Sequence, residues 1–219
     1  MSDTELLDAW TSNLARLAPA VDRATARRGG ADLLARWREP HRSYHTDQHL
    51  AEMLSAIDEL GSSSGLGERE TCLARIAAWL HDAVYDVHAP TGDSERASAE
   101  LARNLLASLQ VNASDIQVVE VLILLTIDHG TGLPGALADV FTDADLAILA
   151  APDARFDEYC AQVRAEYAHV PDAAYATGRG DILAALADRP EVYRSPYARR
   201  AWSGRARANV RRELHRLGS

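Results

Sequence analysis

One apolar segment of the sequence ends in two polar side chains, and it limits the choice of folds more than any other feature. Ala77-Ala-Trp-Leu-His81-Asp82 is apolar on nearly every side of a helix until its last two residues. A helix of that kind is buried. Burying an ionised carboxylate costs several kcal/mol unless it is paired or bound to a metal. The segment therefore predicts either a His81–Asp82 hydrogen bond inside the core or a metal site.

Capping signals predict helices along the whole chain. Ser2-x-x-Glu5 is a capping box that opens a helix through about Leu17, and Thr46 caps another through about Leu60. No stretch alternates with period two for long enough to form a sheet. The sequence therefore predicts an all-α fold.

Glycines and further capping residues predict where these helices are interrupted. We expect Gly29-Gly30 to break the second helix and the segment 61–67 to form a flexible surface loop. A long apolar helix is expected over about 68–86, and Thr142 is expected to cap a helix that begins at Asp143. No repeat or boundary divides the chain, so residues 1–219 are expected to form one domain with a core at about 41–150.

Charge and cysteine content exclude several classes of protein. The net charge of −9 argues against a nucleic acid as the main partner, because binding a phosphate backbone requires clustered cations. All 23 cationic residues are arginine. The densest group, at 199–216, is interpreted as a solvated helix face. Cys72 and Cys160 are far apart and form neither a disulfide framework nor a zinc knuckle.

The N-terminal residues and the lengths of the apolar runs predict a cytoplasmic location. The acidic start, Met1-Ser-Asp-Thr-Glu, differs from a signal peptide. No apolar run approaches the ~20 residues that span a bilayer, so no membrane association is expected. Amphipathic helices at both ends permit a homodimer without requiring one.

Two histidines four residues apart precede an apolar helix, in Tyr44-His45-Thr-Asp-Gln-His49. The zincin motif needs a glutamate directly after the first histidine, and Thr46 stands there instead, so that interpretation fails. His49 faces the apolar residues after it and is the better candidate for a buried ligand. His45 remains the alternative.

A third motif, Asp143-Ala-Asp145-Leu-Ala-Ile-Leu, contains two carboxylates. Asp143 is an ordinary helix-end acid, which the helix dipole favours. Asp145 lies beside apolar residues, where capping would not require it. Two histidines with two aspartates would form a mixed N/O site that suits Mn²⁺, Mg²⁺, Fe²⁺, Co²⁺ or Ni²⁺ better than a structural zinc.

The order His49, His81-Asp82, Asp145 resembles the HD superfamily of metal-dependent phosphohydrolases. The segments 42–49, 79–86 and 143–149 resemble a largely uncharacterised group of predicted HD phosphohydrolases, as do Arg164-Ala-Glu-Tyr167 and the ending Asn209…Glu213. The resemblance covers nearly the whole chain.

This resemblance implies a fold, a set of metal ligands and an activity. The fold would be an HD-domain helical bundle with flanking N- and C-terminal helices and a metal between the helices. His49, His81, Asp82 and Asp145 would hold one or two divalent ions. The activity would be hydrolysis of a small phosphorylated molecule, with a nucleotide as the first candidate, by a metal-activated water.

Several side chains are candidates for acid–base catalysis beside such a metal. They are Asp86, one helical turn beyond Asp82, together with Glu95, His45 and His129. His129 is either a second-metal ligand or proton shuttle, or a cation at the C-terminal end of a helix. Asp86 and Glu95 are either catalytic or solvated carboxylates at helix ends.

Arginines would bind the phosphate groups, because the chain has no lysine. Arg42 beside Tyr44 is the first candidate, followed by Arg164 with Tyr167, and by Arg179. Each arginine could equally form a structural ion pair.

Related motifs and activities of HD proteins define the alternatives. His81-Asp-Ala-Val-Tyr85-Asp86 is similar to the HDxxED segment of (p)ppGpp hydrolases, but Tyr85 stands in the place of the catalytic glutamate, so pyrophosphohydrolysis would need Glu95 or a metal-bound hydroxide. Some HD proteins instead hold two irons and activate oxygen, and His45, Asp86 and His129 would complete such a site. A third alternative is a non-enzymatic domain that the metal only stabilises.

Overall fold

The computed structural model describes residues 1–129 and 135–218, and these residues form helices and no strands. The predicted all-α fold is therefore confirmed. No helix in these two ranges combines the length and the apolar character needed to cross a membrane. In chain order the helices are α1 (Asp3–Leu17), α2 (Arg23–Trp37), α3 (Asp47–Ser64), α4 (Glu68–Leu80), α5 (Asp93–Ser108), α6 (Ala113–Leu125), α7 (Ala136–Asp145), a 3-10 helix (Leu146–Ala150), α8 (Asp153–Glu166), α9 (Asp172–Ala187), α10 (Pro196–Ala201) and α11 (Ser203–Gly218).

Helix α4 lies at the centre of the core. Every residue from 76 to 80 is fully buried, as expected for a segment that is apolar on all sides. Helices α1, α3, α6 and α7 pack around it. The indole ring of Trp79 contacts that of Trp10 on α1, and its backbone carbonyl accepts a hydrogen bond from the indole of Trp37 on α2. The residues directly after Leu80 are therefore delivered to the middle of the molecule.

The expected helix over 68–86 is too long, because α4 ends at Leu80. Backbone N–H and C=O groups after Leu80, which a continuing helix would pair with one another, are hydrogen-bonded to side chains distant in the sequence. The guanidinium of Arg42 donates to the carbonyls of Asp82 and Ala83, and the hydroxyl of Ser98 accepts from the N–H of Val84. The segment after His81 therefore turns away from the helix axis, and Asp86 does not lie one helical turn beyond Asp82.

Gly29-Gly30 does not break α2, contrary to the expectation. Gly30 lies inside the helix, where the indole ring of Trp10 packs directly against its backbone. A Cβ atom on Gly30 would lie 2.5 Å from Cδ1 of Trp10, and the indole N–H donates to the carbonyl of Ala26 at 2.8 Å. The glycine therefore allows α1 and α2 to approach closely.

The segment 61–67 is not a loop throughout, because α3 continues through Ser64. The hydroxyls of Ser62 and Ser63 donate back to the carbonyls of Asp58 and Glu59, which keeps the last turn helical. Gly65 then ends the helix with a φ of 69°, a conformation that glycine adopts without strain. The capping box at Ser2 and the cap at Thr46 are confirmed.

Helix α7 begins at Ala136 rather than at Asp143, which corrects the expected start. Asp143 and Asp145 therefore lie at the C-terminal end of a helix, where the dipole does not favour a carboxylate. Asp143 is not an ordinary acid at the start of a helix, and both side chains require another explanation.

The close approach of α1 and α2 predicts that Gly30→Ala destabilises the protein. The added methyl group would force Trp10 to move, at a cost of about 1–3 kcal/mol in the free energy of unfolding. Gly180→Ala is the control, because a Cβ there has no neighbour within 4 Å. Urea denaturation checks both variants, and equal midpoints for the two would contradict the close packing of Trp10 on Gly30.

Candidate metal centre

Three helices bring four side chains together at the end of α4. His49 comes from the first turn of α3, His81 caps α4, Asp82 is the next residue, and Asp145 is the last residue of α7. The two Nε2 atoms of His49 and His81 lie 3.3 Å apart, and Oδ2 of Asp82 lies 3.0 Å from Nε2 of His81. His49, His81 and Asp82 present ligand atoms within 4.8 Å of one another and could hold a metal ion.

Asp145 approaches the same two imidazoles. Its Oδ1 atom lies 3.2 Å from Nε2 of His49 and 3.4 Å from Nε2 of His81. Its other oxygen, Oδ2, lies 2.8 Å from Nε2 of His129. One carboxylate thus connects the histidine pair with a third histidine. We name His49, His81, Asp82 and Asp145 the His–Asp cluster.

The hydrogen bond on the far side of the His81 ring determines which nitrogen faces the cluster as a ligand. Nδ1 of His81 lies 2.9 Å from the carbonyl oxygen of Ala78, and a carbonyl can only accept. Nδ1 therefore carries a proton, and in the neutral ring Nε2 presents its lone pair to the cluster. Metal-bound histidines are typically held by such a bond to the outer nitrogen. The Tyr44 hydroxyl, 3.1 Å from Nδ1 of His49, occupies the equivalent place there.

Burial and charge determine the protonation of the cluster. Burial alone would lower the pKa of His81, but the carboxylates of Asp82 and Asp145 outweigh it and hold this pKa well above its usual value. Burial would likewise raise the pKa of each aspartate, but the neighbouring His81 holds both pKa values well below the usual range. Two ionised carboxylates thus attract a positive charge, and a divalent cation would compete with the proton on His81.

Asp143 has a structural position. Its side chain is fully buried and accepts hydrogen bonds from the N–H groups of Arg194 and Ser195, each at 2.7 Å. Burial nevertheless raises its pKa above the ordinary value. Asp143 therefore holds the segment before α10, and Asp145 is the aspartate that faces the histidines.

His45 lies beside the cluster rather than in its centre. Its Nε2 atom is 4.0 Å from Oδ2 of Asp82, and its Nδ1–H donates to Oε2 of Glu166 at 2.7 Å. The bond to Glu166 fixes the tautomer and leaves Nε2 facing Asp82. Burial alone would lower the pKa of His45, but the Glu166 carboxylate raises it.

Glu166 organises this side of the site, and the sequence did not single it out. Its Oε1 accepts from the N–H groups of residues 43, 44 and 45 at 2.8, 2.8 and 2.9 Å, and its Oε2 also accepts from the hydroxyl of Tyr85. Burial would raise its pKa, but the hydrogen bonds, led by that of His45, lower it to about 2. The segment Arg164-Ala-Glu-Tyr167 carried the resemblance, but only long-range contacts show that Glu166 is its buried member.

Arg42 has a structural role rather than the expected phosphate-binding one. Its guanidinium is fully buried and donates to the carboxylate of Glu39 and to the backbone carbonyls of His45, Asp82 and Ala83. These contacts occupy all five of its N–H donors. Arg42 therefore fastens the segment before α3 to the turn after α4.

A cavity of about 550 Å³ opens beside the His–Asp cluster. Nine of the expected site residues line it, whereas His81, Arg42, Asp86 and Arg164 do not. Asp86 is exposed and accepts from the N–H of His88, whereas Arg164 pairs with Asp172 and with the backbone after α8. The expected site residues that line the cavity are Tyr44, His45, His49, Asp82, Glu95, His129, Asp145, Tyr167 and Arg179.

His129 reaches the cavity through an unusual backbone conformation. Its φ is 48°, in the left-handed region, and its imidazole contacts Asp145. Arg189 on the segment after α9 supports this conformation, because its guanidinium donates to the carbonyls of Asp128 and His129 at 2.9 and 3.2 Å. His129 therefore belongs to the site by position and is not a cation at a helix end, since α6 has already ended at Leu125.

Comparison with models of known protein families found none that matches this chain, and a search of curated proteins found no significant relative. A function is therefore inferred from the arrangement of the side chains themselves.

The cluster predicts that the protein binds Mn²⁺. Asp82→Asn should weaken this binding by more than about 100-fold, which is more than the usual effect of changing a residue that only supports a metal ligand. Removing the charge leaves one carboxylate to balance the cation. Asp86→Asn is the matched control, because Asp86 is exposed and outside the cavity. Isothermal titration with Mn²⁺ measures both, and equal affinities for the two variants would remove Asp82 from the proposed ligands.

Glu166→Gln is expected to lower the free energy of unfolding by about 1–3 kcal/mol, because an amide cannot accept all of the bonds that the carboxylate accepts. Glu158→Gln on the same helix is the control, since Glu158 is exposed. A lowered pKa adds stability above the ordinary value of 4.5, and this stability is lost as the pH falls toward about 2. The wild-type advantage over Glu166→Gln should therefore shrink between pH 4.5 and 2, and a constant difference in urea denaturation would contradict this account.

Proposed function

We propose that the chain is a metal-dependent phosphohydrolase that acts on a small phosphorylated molecule, with a nucleotide as the first candidate. The observation that carries the proposal is the His–Asp cluster at the wall of a cavity, with the proton of His81 held on its outer nitrogen. Two nitrogen and two carboxylate ligands suit Mn²⁺, Mg²⁺, Fe²⁺, Co²⁺ or Ni²⁺. The resemblance to HD phosphohydrolases supports the same conclusion from the motifs.

His49, His81, Asp82 and Asp145 would hold the ion. When bound, a divalent cation polarises a phosphoryl oxygen and lowers the pKa of a coordinated water. Asp82 and Asp145 remain ionised for this purpose, because the histidines hold their pKa values low. Tyr44 and the carbonyl of Ala78 orient the two imidazoles from outside.

His45 is the candidate for the general acid. The Glu166 carboxylate raises the pKa of His45, so the protonated imidazole is favoured, and its Nε2–H lies at the cavity beside Asp82. In that position Nε2–H would donate its proton to the leaving oxygen of the substrate. Tyr85, whose ring lies 4.1 Å from that of His45, holds the imidazole in place. Glu95 and His129 are the remaining candidates for accepting the proton of the attacking water.

Arg179 is the candidate for binding the phosphate group. It lines the cavity and donates to the hydroxyl of Tyr159, and no ion pair neutralises it among the residues described. Arg189 lines the same cavity, and within the described part of the chain it bonds only to carbonyl oxygens, so its charge also remains available there. Two arginines that face one cavity suit an anionic substrate. The rest of the cavity wall combines carboxylates and histidines with tyrosine, threonine and aliphatic side chains.

The alternatives receive less support from the geometry. A second iron was expected to use His45, Asp86 and His129, but Asp86 lies outside the cavity. A domain that only uses a metal for stability would not require a cavity with two arginines and two further histidines beside the cluster. The hydrolase is therefore the function that these side chains support best.

The proposal predicts that the protein loaded with Mn²⁺ releases phosphate from nucleotides or p-nitrophenyl phosphate, and that Asp82→Ala abolishes this activity. Arg179→Met should lower kcat/KM by about 10-fold or more, mainly through KM, because one charge-assisted contact is lost. Arg28→Met is the control and should stay near the wild type, because Arg28 is exposed on α2 and does not line the cavity.

A malachite-green assay across Mn²⁺, Mg²⁺, Co²⁺ and Ni²⁺ measures the phosphate released. Unchanged release in Asp82→Ala would refute the hydrolase. Two bound irons with oxygen consumption and no phosphate release would favour the oxygenase instead.

A further inference from the structure

A second, apolar pocket lies between α8 and α9. It measures about 290 Å³, and its wall includes Val163, Tyr167, Val170, Tyr175, Gly178 and Ile182. Ile182 is a large apolar side chain with 56% of its surface exposed, on the helix face that borders this pocket. We name it the side pocket. The expected metal and acid–base chemistry uses none of these apolar side chains.

The side pocket adjoins the cavity beside the His–Asp cluster. Tyr167, Arg179 and Ile182 line both spaces. Arg179, the candidate phosphate ligand, therefore lies where the two meet. A molecule whose phosphate is bound by Arg179 in the cavity would therefore have its organic part next to the side pocket.

A series of ring contacts connects the His–Asp cluster with Arg179. The ring of Tyr44 lies 4.8 Å from that of His49 and 4.6 Å from that of Tyr159. The guanidinium of Arg179 lies over the ring of Tyr159, 5.2 Å from its centre, and donates to its hydroxyl. The orientation of Arg179 is thus tied to the metal side of the cavity.

The chemistry of the side pocket differs from that of the cavity. The cavity combines carboxylates, histidines and arginines with tyrosine and aliphatic side chains. The described residues that line the side pocket include no carboxylate and no histidine: apart from Arg179 they are aliphatic or small residues and two tyrosines, whose rings lie 6.3 Å apart and are tilted by 45°. Aromatic rings bind flat apolar groups by stacking or edge contacts, and a guanidinium stacks on such groups as well. A volume of about 290 Å³ accommodates one or two fused rings rather than a long chain.

We propose that the side pocket binds a planar aromatic group of the substrate, so that the site selects phosphates that carry an aromatic group over phosphates that carry none. This inference rests on the proposed phosphohydrolase function for the position of the phosphate. The pocket itself can be tested with a ligand that carries no phosphate.

The first experiment compares phenylphosphonate with methylphosphonate, which share the phosphonate group and resist hydrolysis. Isothermal titration into the Mn²⁺-loaded protein should show phenylphosphonate binding about 10-fold more tightly or better. Binding of both phosphonates with equal affinity to the wild type would overturn the proposal.

Glycine positions on α9 supply a matched pair of variants. A Cβ at Gly178 or at Gly180 has no neighbour within 4 Å, so both positions accept a larger side chain. Gly178 lines the side pocket and Gly180 does not, since residues two apart face different sides of a helix. Gly178→Leu should fill the pocket and reduce the preference for phenylphosphonate to about twofold or less, with methylphosphonate unchanged. Gly180→Leu should keep the wild-type preference, and an unaltered preference in Gly178→Leu would overturn the proposal.

A neutral probe separates this inference from the proposed function. 2-Naphthol has no phosphate, and its binding can be followed by ligand-detected NMR. Binding to the wild type and to Gly180→Leu, but not to Gly178→Leu, would support the side pocket even if neither phosphonate bound and the phosphohydrolase failed. Equal binding to all three proteins, or to none, would overturn the side pocket whatever the phosphonates do.

Discussion

Two ionised carboxylates, from Asp82 and Asp145, meet two imidazoles at the buried C-terminal end of α4, and the surrounding structure depends on keeping them there. Like charges repel strongly where little water screens them. The backbone on each side is therefore tied down: Arg42 fastens the turn that carries Asp82, and Asp143 fastens the segment after α9 from the same helix that ends in Asp145. These neighbours hold a geometry that favours a bound cation.

The side of the site that carries His45 consists of polar residues that lie far apart in the sequence. Glu166, at the end of α8, accepts hydrogen bonds from residues more than 120 positions earlier and fixes the imidazole of His45. The hydroxyl of Tyr85 donates to this same carboxylate. The carboxylate of Glu166 thus reaches this side of the site from α8. Its oxygens accept hydrogen bonds from the protein and do not face the cavity.

Local patterns in the sequence predicted the helical class and two helix starts, because caps and apolar periodicity act over a few residues. They also marked His81 and Asp82, since a buried charge is conspicuous within one apolar segment. They failed where a partner lies far away in the chain. Arg42 was predicted to bind phosphate, but its N–H donors are used by acceptors that include carbonyls distant in the sequence. Gly30 was predicted to break a helix, but it instead allows the ring of Trp10 to pack against α2. Asp86 was misplaced for the same reason, because long-range bonds to the backbone end α4 early.

Trp37 is a fluorescent side chain that lies next to the His–Asp cluster. Its ring centre lies 5.5 Å from that of His81 and 6.1 Å from that of His49, and its side chain is fully buried. Excited indoles lose their emission efficiently to a paramagnetic ion at such short range, whereas a closed-shell ion such as Mg²⁺ leaves most of it intact. Trp37 is therefore an intrinsic fluorophore whose brightness would distinguish a paramagnetic ion from a closed-shell ion bound at the cluster, without any label.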